Sequence, residues 1–388
     1  MGYCKICGEY DCKKHTVLLG KTKEITEFSG SSPPEIFVGR WNYPNVYTGI
    51  LSPTEYGNTE IMSSAEEWYA RKLQIPQILD LRKQLIYGRT QNNVKRAVTD
   101  KKFLPVMQEI AMASKSVATE FKLKKAIMVN KEQDSRIPLI SRAASIEKVR
   151  LTENTKVKPK VDYLVNDVDV KSNEAILELE KAGIQTSFMI KLLSAGLLGL
   201  KKNRKLVPTR WAITATDDTL SKQKLEQIRT FETISEIELF SSEYLGNHYE
   251  FLLLPSMWEF EVLEISMKNF GVWADYESFF PRKKYADSVT GAYYANRLAV
   301  CEYLMRVKKQ AACIVFREIR PEYYAPLGVG ILRETSRAAF IQQAKKFDTL
   351  KDVLEDIQKR LRMNLNHFKD KSIILKNYGK QTRLKDFF

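Results

Sequence analysis

Histidine is nearly missing from this chain, with three residues in 388. A mechanism that needs several imidazoles therefore has few options. Cysteine is scarce too: five residues are too few for a disulfide scaffold at this length. Long hydrophobic runs are lacking. The best candidate, residues 190–200, is too short and too interrupted to cross a bilayer. The first residues carry paired cysteines and lysines rather than the apolar stretch of a signal peptide. A cytoplasmic protein without a membrane partner is expected. No Walker loop, nucleophile elbow or HExxH motif occurs, and no internal repeat.

Positive charge is what the chain has in excess. Lys and Arg number 62 against 47 Asp and Glu, a net of +15. Net charge speaks to partners, and a polyanion such as nucleic acid is the natural one. The excess is uneven: residues 115–160 hold 12 basic and 5 acidic side chains, a local +7. This stretch could follow a phosphate backbone or be a solvated surface. Hydrophobic content of 44% and charged content of 28% are ordinary for a folded protein.

Three of the cysteines fall in the first twelve residues. Cys4, Cys7, Cys12 and His15 are spaced C-x2-C-x4-C-x2-H. Three thiolates and an imidazole make a tetrahedral zinc set, and Gly8 frees the backbone for the turn between them. The rival, a redox C-x-x-C pair, leaves Cys12 and His15 without a role. Zinc is the expected cofactor. Cys301 and Cys313 lie in apolar surroundings and are expected to be packed core thiols.

The pattern of elements predicts an α+β fold, mixed and multidomain, without regular βαβ alternation. Ser64 and Glu67 stand in capping-box spacing at a helix start. Residues 116–170 read as strands and loops. Helices are expected near 173–182 and 188–197, followed by "KKNRKLVPTRWAIT", a basic turn into a strand. "YEFLLLP" is a buried strand. In "MWEFEVLE", Trp258, Phe260 and Val262 alternate with Glu259 and Glu261, the mark of a half-buried strand. Helices are expected over about 292–308, 331–345 and 350–365. The expected division is a zinc module over 1–20, an N-terminal domain over 21–265, a C-terminal domain over 266–370 and a free, lysine-led tail over 371–388.

The tail ends in Gln381-x-x-Leu384-x-x-Phe387-Phe388. One 3₁₀ turn puts Leu384 and Phe387 on the same side, and Phe388 adds a second ring. Together they can plug an apolar pocket while the Gln381 amide bonds at its rim. The alternative is that the rings fold back onto this chain's own core. A second cluster combines bases and aromatics. Lys283, Lys284 and Tyr285 precede a helix carrying Tyr294 and Arg297, which share a face. Arg317 ends a buried strand, and Arg333 and Arg337 open a later helix. With Arg40 they predict a pocket for phosphate or a mononucleotide. The alternative is structural ion pairing with Glu302, Glu318, Glu322 and Glu334.

The tail resembles the peptide box by which replication and repair proteins bind the sliding clamp, PCNA. Four long segments, "SSPPEIFVGRWNYPNVYTG", "LVPTRWAITATDD", "PRKKYADSVTGAYYANRLAVCEYL" and "FREIRPEYYAPLGVGILRE", resemble the archaeal Nre family of DNA-repair proteins. The resemblance implies a zinc-type motif at Cys4, Cys7, Cys12 and His15, a clamp-binding tail, and a role in repair of damaged DNA. It departs from the family at Gly330, where an aromatic residue is expected. Two functions remain open. One is a clamp-recruited DNA-binding protein without chemistry of its own. The other is a metal-dependent nuclease, for which Asp217, Asp218, Glu259, Glu261, Asp275 and Glu277 are the candidate carboxylates.

Overall fold

A computed structural model describes residues 23–129, 142–268 and 270–379. The zinc-type residues Cys4, Cys7, Cys12 and His15 and the tail residues Gln381, Leu384, Phe387 and Phe388 lie outside the described residues. The fold is α+β, as expected. The chain divides into two compact units, residues 1–219 with 324–328 and residues 220–323 with 329–388.

In the first unit the elements run β1 (Lys23–Ser32), β2 (Ile36–Val38), β3 (Asn45–Ser52), α1 (Ala65–Ala70), α2 (Ile75–Lys83), β4 (Ile86–Asn93), α3 (Leu104–Met112), β5 (Val117–Val129), β6 (Arg142–Leu151), α4 (Pro159–Asn166), α5 (Ser172–Lys181) and α6 (Thr186–Ser194). The strands form one sheet in the order β1-β5-β6-β4-β3-β2, antiparallel except for the β4–β6 pair. Phe28 stacks on Phe121 across β1 and β5, with centroids 4.5 Å apart. Gly49 is required where β3 crosses β4, because a Cβ there would stand 2.4 Å from the Gly88 carbonyl oxygen. The Ser64 hydroxyl caps α1 by accepting from the Glu67 amide at 3.2 Å, as the spacing predicts.

Two expectations fail in this unit. Residues 159–166 form a helix, with Pro159 at its first position, where the missing N–H costs nothing. "PTRWAIT" opens α7 (Thr209–Ile228) instead of a strand. Its buried positions Ala212, Thr216, Leu220, Leu225 and Ile228 recur every three to five residues. Several buried side chains between them are Thr, Asp or Ser, which conceals the helical stripe from a hydrophobic count.

The second unit holds β7 (Ile237–Tyr244), β8 (Asn247–Leu254), β9 (Glu259–Ser266), β10 (Val272–Glu277), α8 (Gly291–Val307), β11 (Ala312–Ile319), α9 (Val329–Ala339), β12 (Lys345–Phe347), α10 (Leu350–Gln358), α11 (Asn366–Lys369) and α12 (Ile373–Asn377). Its sheet runs β10-β9-β11-β8-β7-β12, with β9 and β11 parallel and every other pair antiparallel. A division at residue 265 would cut through β9, whose ladders to β10 and β11 hold it in this unit.

Both faces of this sheet are covered. Tyr249, Phe251, Phe260, Val262 and Val315 pack against α8 and α9. Leu252, Leu254, Leu263, Ile314 and Phe316 pack against α10, α11 and α12. That is why β8 is buried at all eight positions. It also corrects the expected half-buried β9: the face carrying Glu261 is covered, and Glu261 is fully buried. The cover comes from the segment expected to be a free tail. The Ser372 hydroxyl donates to Glu261 at 2.5 Å, and the amides of Ile373 and Ile374 donate at 2.7 and 3.4 Å. Burial pushes the Glu261 carboxyl up, and these donors pull it partly back.

Glu250 is held similarly. It is fully buried, takes a fork of bonds from Arg360 at 2.7 and 2.9 Å, and is flanked by Ser241 and His248. Removing residues 371–388 is expected to leave Glu261 without its donors and to expose the seat of Ile374. The cost should be at least about 1–3 kcal/mol, read as a lower denaturation midpoint. An unchanged midpoint would contradict this role for α12.

Candidate functional site

The second unit gathers most of the expected phosphate-binding residues around the loop 278–290, which joins β10 to α8. Gly291 opens α8 close against α9, since a Cβ there would meet the Val329 side chain at 2.7 Å. Arg297, six residues further along, is fully buried. Its Nη1 donates to Glu277 at 2.7 Å and its Nε to the Ser221 hydroxyl at 3.2 Å. Its guanidinium lies 5.6 and 5.5 Å from the rings of Tyr293 and Tyr294. Glu277 also accepts from the Trp258 indole and the Arg282 amide, each at 3.2 Å. An ion pair removed from water in this way must be saturated with donors to be stable, and this one is.

Arg282 shapes the loop. It pairs with Asp275 at 3.0 Å and donates to the carbonyls of Tyr276, Lys284 and Tyr285 at 2.9, 3.2 and 3.1 Å. Asp275 in turn accepts from the Val289 amide at 2.7 Å. The loop is thereby closed on itself, with Lys283 and Lys284 exposed and without a carboxylate partner among the described residues. Tyr285 is half exposed and stacks on Tyr294 at 5.4 Å. The Tyr294 hydroxyl accepts from the Ala286 amide at 3.0 Å, which fixes the lower ring.

Arg317 and Arg337 are tied elsewhere in this unit. Arg317 lies four residues along β11 from Cys313, which pairs with Phe260, itself the partner of Glu277. That is about 13 Å of strand. There Arg317 is buried, bonded to Glu264 and to the Asn247 side chain. Burial opposes its charge, yet the Glu264 carboxylate holds the guanidinium well above its ordinary range. Arg337 forks onto Glu302 at 2.9 and 2.7 Å and reaches Glu334 at 2.9 Å. Arg333 is buried on α9. Arg40 belongs to the first unit, where its guanidinium covers the Trp41 ring at 4.7 Å. Arg297, Arg317 and Arg337 are each therefore already paired with a carboxylate, and Arg337 spends its fork on one.

Arg229 is the cation that inspection of the sequence missed. It follows the last turn of α7, in the stretch beyond the misread strand. Its Nε and Nη2 are buried and have no hydrogen-bond partner among the described residues. The guanidinium lies 5.4 Å from the Phe279 ring at the start of the same loop. Burial pulls its pKa down, and Glu277 partly offsets that. Two buried donors without a partner among the described residues thus lie beside the loop that carries Lys283 and Lys284.

Three of the candidate nuclease carboxylates are already engaged. Glu261 is tied to α12, Asp275 to Arg282, and Glu277 to Arg297. Asp217 and Asp218 lie in the first unit. Among the described residues, no three His, Cys, Asp or Glu side chains converge so as to hold a metal ion. No helix there is long and apolar enough to cross a membrane.

Comparison with known proteins gives a consistent result. The family model for the N-terminal region of archaeal Nre matches residues 3–274, and that for the C-terminal region matches residues 277–387. "DNA repair protein NreB" of Archaeoglobus fulgidus is 35% identical over 390 residues, covering 98% of this chain and 97% of the relative. "DNA repair protein NreA" of the same organism is 34% identical over 92% of this chain and 91% of its own length. "DNA repair protein NreA" of Haloferax volcanii is 33% identical over 92% of this chain and 88% of its own length. No solved structure matches.

Proposed function

Because the chain belongs to the archaeal Nre family, we propose that it is a DNA-repair protein, brought to DNA by the sliding clamp PCNA and holding nucleic acid on basic surfaces. The observation that carries this is likeness over nearly the whole chain to relatives named for DNA repair. The net charge of +15 supports a polyanionic partner. The string Gln381, Leu384, Phe387 and Phe388 supports the clamp. In the second unit, the exposed Lys283 and Lys284 beside Arg229 support a phosphate contact, and the Tyr285–Tyr294 stack offers a ring to a base or mononucleotide.

Fluorescence anisotropy of labelled DNA tests this reading. Binding should weaken steeply with salt, as phosphate contacts require. Lys283→Ala with Lys284→Ala should reduce affinity and flatten the salt slope by about two. A chain that binds no DNA at low salt would overturn the proposal.

Zinc belongs to the same proposal. Cys4, Cys7, Cys12 and His15 supply the donor chemistry of a closed tetrahedral site, and zinc there would hold a short segment that has little core of its own. Metal analysis of protein purified without chelator should find about one zinc per chain. Cys7→Ser should lose it. Metal-free wild-type protein would contradict the assignment.

A further inference from the structure

The first unit exposes aromatic rings that a folded protein usually covers. Trp41 is 74% exposed, Tyr43 45%, Trp211 44% and Tyr47 37%. They stand together because the backbone stitches their segments. The Val38 amide donates to the Thr209 hydroxyl at 2.9 Å, at the start of α7, and the Gly39 amide donates to the Tyr47 carbonyl at 2.8 Å. The Val94 amide reaches the Pro44 carbonyl at 2.9 Å, and the Leu206 amide reaches the Val94 carbonyl at 2.9 Å. The Tyr43 and Trp211 rings are in contact, with centroids 5.3 Å apart.

Cations are interleaved with the rings. Arg40 covers Trp41 at 4.7 Å, and Arg89 on β4 covers Tyr47 on β3 at 4.2 Å. Among the described residues, neither Arg40 nor Arg89 pairs with an Asp or Glu. Residues 36–52, 81–99 and 181–216, which supply all of these contacts, contain not one Asp or Glu. Arginines without carboxylates leave their N–H groups free for phosphate oxygens. The rings among them remain 37–74% exposed, and Tyr43 and Trp211 pack on each other.

We propose that this surface is a stacking platform for single-stranded DNA, with unpaired bases on Trp41, Tyr43 and Trp211 and the backbone on Arg40 and Arg89. It rests on the DNA-binding function proposed above and narrows it. Paired bases in a duplex hide their faces, so rings as wide as these select unpaired strands, while the arginines serve any phosphate chain. A protein partner would require acidic groups to meet the arginines and would gain nothing from unpaired bases.

The test uses the full chain with a labelled oligothymidine, a blunt duplex of equal length and an oligouridine. The wild type should prefer the deoxy single strand. Trp41→Ala with Trp211→Ala should weaken single-strand binding by about a hundredfold, roughly tenfold for each ring, while duplex affinity stays within about twofold. The unfolding midpoint should move little, because Trp41 is 74% and Trp211 44% exposed. Arg40→Glu should weaken both DNA forms and lower the salt slope. The platform is overturned if the double variant binds single strands as the wild type does, if it loses both forms equally, or if oligouridine is preferred. Wild type that binds duplex but no single strand also overturns it and leaves the broader DNA-binding function standing. Wild type that binds neither overturns both.

Discussion

Deletion of residues 381–388 is expected to abolish binding to the sliding clamp and leave the unfolding midpoint unchanged. The fold supports the second half of that expectation. Among the described residues the last element is α12, where Ser372, Ile373 and Ile374 are held by Glu261. The deletion begins after it. The first half follows from aromatic anchoring, where rings that fill a partner's pocket typically contribute about 2 kcal/mol or more each. Phe387→Ala with Phe388→Ala should then weaken the complex by roughly a thousandfold. Calorimetric titration of the clamp with each variant reads this directly. Unchanged affinity would contradict the docking role. A large fall in the midpoint would show that the rings fold onto this chain's own core.

Arg297→Ala is expected to cost about 3–5 kcal/mol of stability, because it leaves Glu277 charged, buried and missing its counter-ion. The Trp258 indole and the Arg282 amide would still face that carboxylate, but neither carries charge in the donating group. Glu277→Gln should cost less, since an amide oxygen still serves the indole while the uncompensated charge moves to an arginine already flanked by two tyrosine rings. Chemical denaturation of the three proteins checks the order. An Arg297→Ala midpoint equal to wild type would contradict the structural role of the pair. If DNA affinity fell while stability held, Arg297 would instead be a phosphate ligand.

Much of this architecture was legible in the sequence. Largely apolar runs at "YEFLLLP" and before Arg317 pointed to the two central strands β8 and β11, and the Ser64–Glu67 spacing to the start of α1. The α8 helix was visible from its composition. Errors fell where burial is polar. Glu261 on β9 looked like the wet side of a strand, since nothing local says that Ser372 returns from 111 residues away to satisfy it. The same long-range contact turned the expected start of a free tail into α12. In α7, buried Thr, Asp and Ser positions hid the helical period, and with it Arg229.

The candidate site was legible as residue types and less so as geometry. Arg297, Arg317 and Arg337 were recognisable as arginines among aromatics, but their pairing with Glu277, Glu264 and Glu302 depends on sheet register and helix packing. Lys283, Lys284 and Tyr285 lie on an exposed loop, as a basic-aromatic string suggests. The ring platform in the first unit escaped notice because its four rings and two arginines come from three segments, 40–47, Arg89 and Trp211, the last more than 100 residues from the others, and each segment alone is ordinary. The segment "VGRWNYPNVYTG" had drawn attention for its family resemblance, not for its exposed rings.

The most direct measurement of the central claim is retention of the full chain on primed DNA carrying a loaded clamp, compared with the same DNA without clamp. The account predicts that the clamp raises retention strongly, that the chain lacking residues 381–388 falls back to the clamp-free level, and that this remaining binding disappears as salt is raised. Retention that ignores the clamp, or a truncated chain held as firmly as the full one, would contradict it.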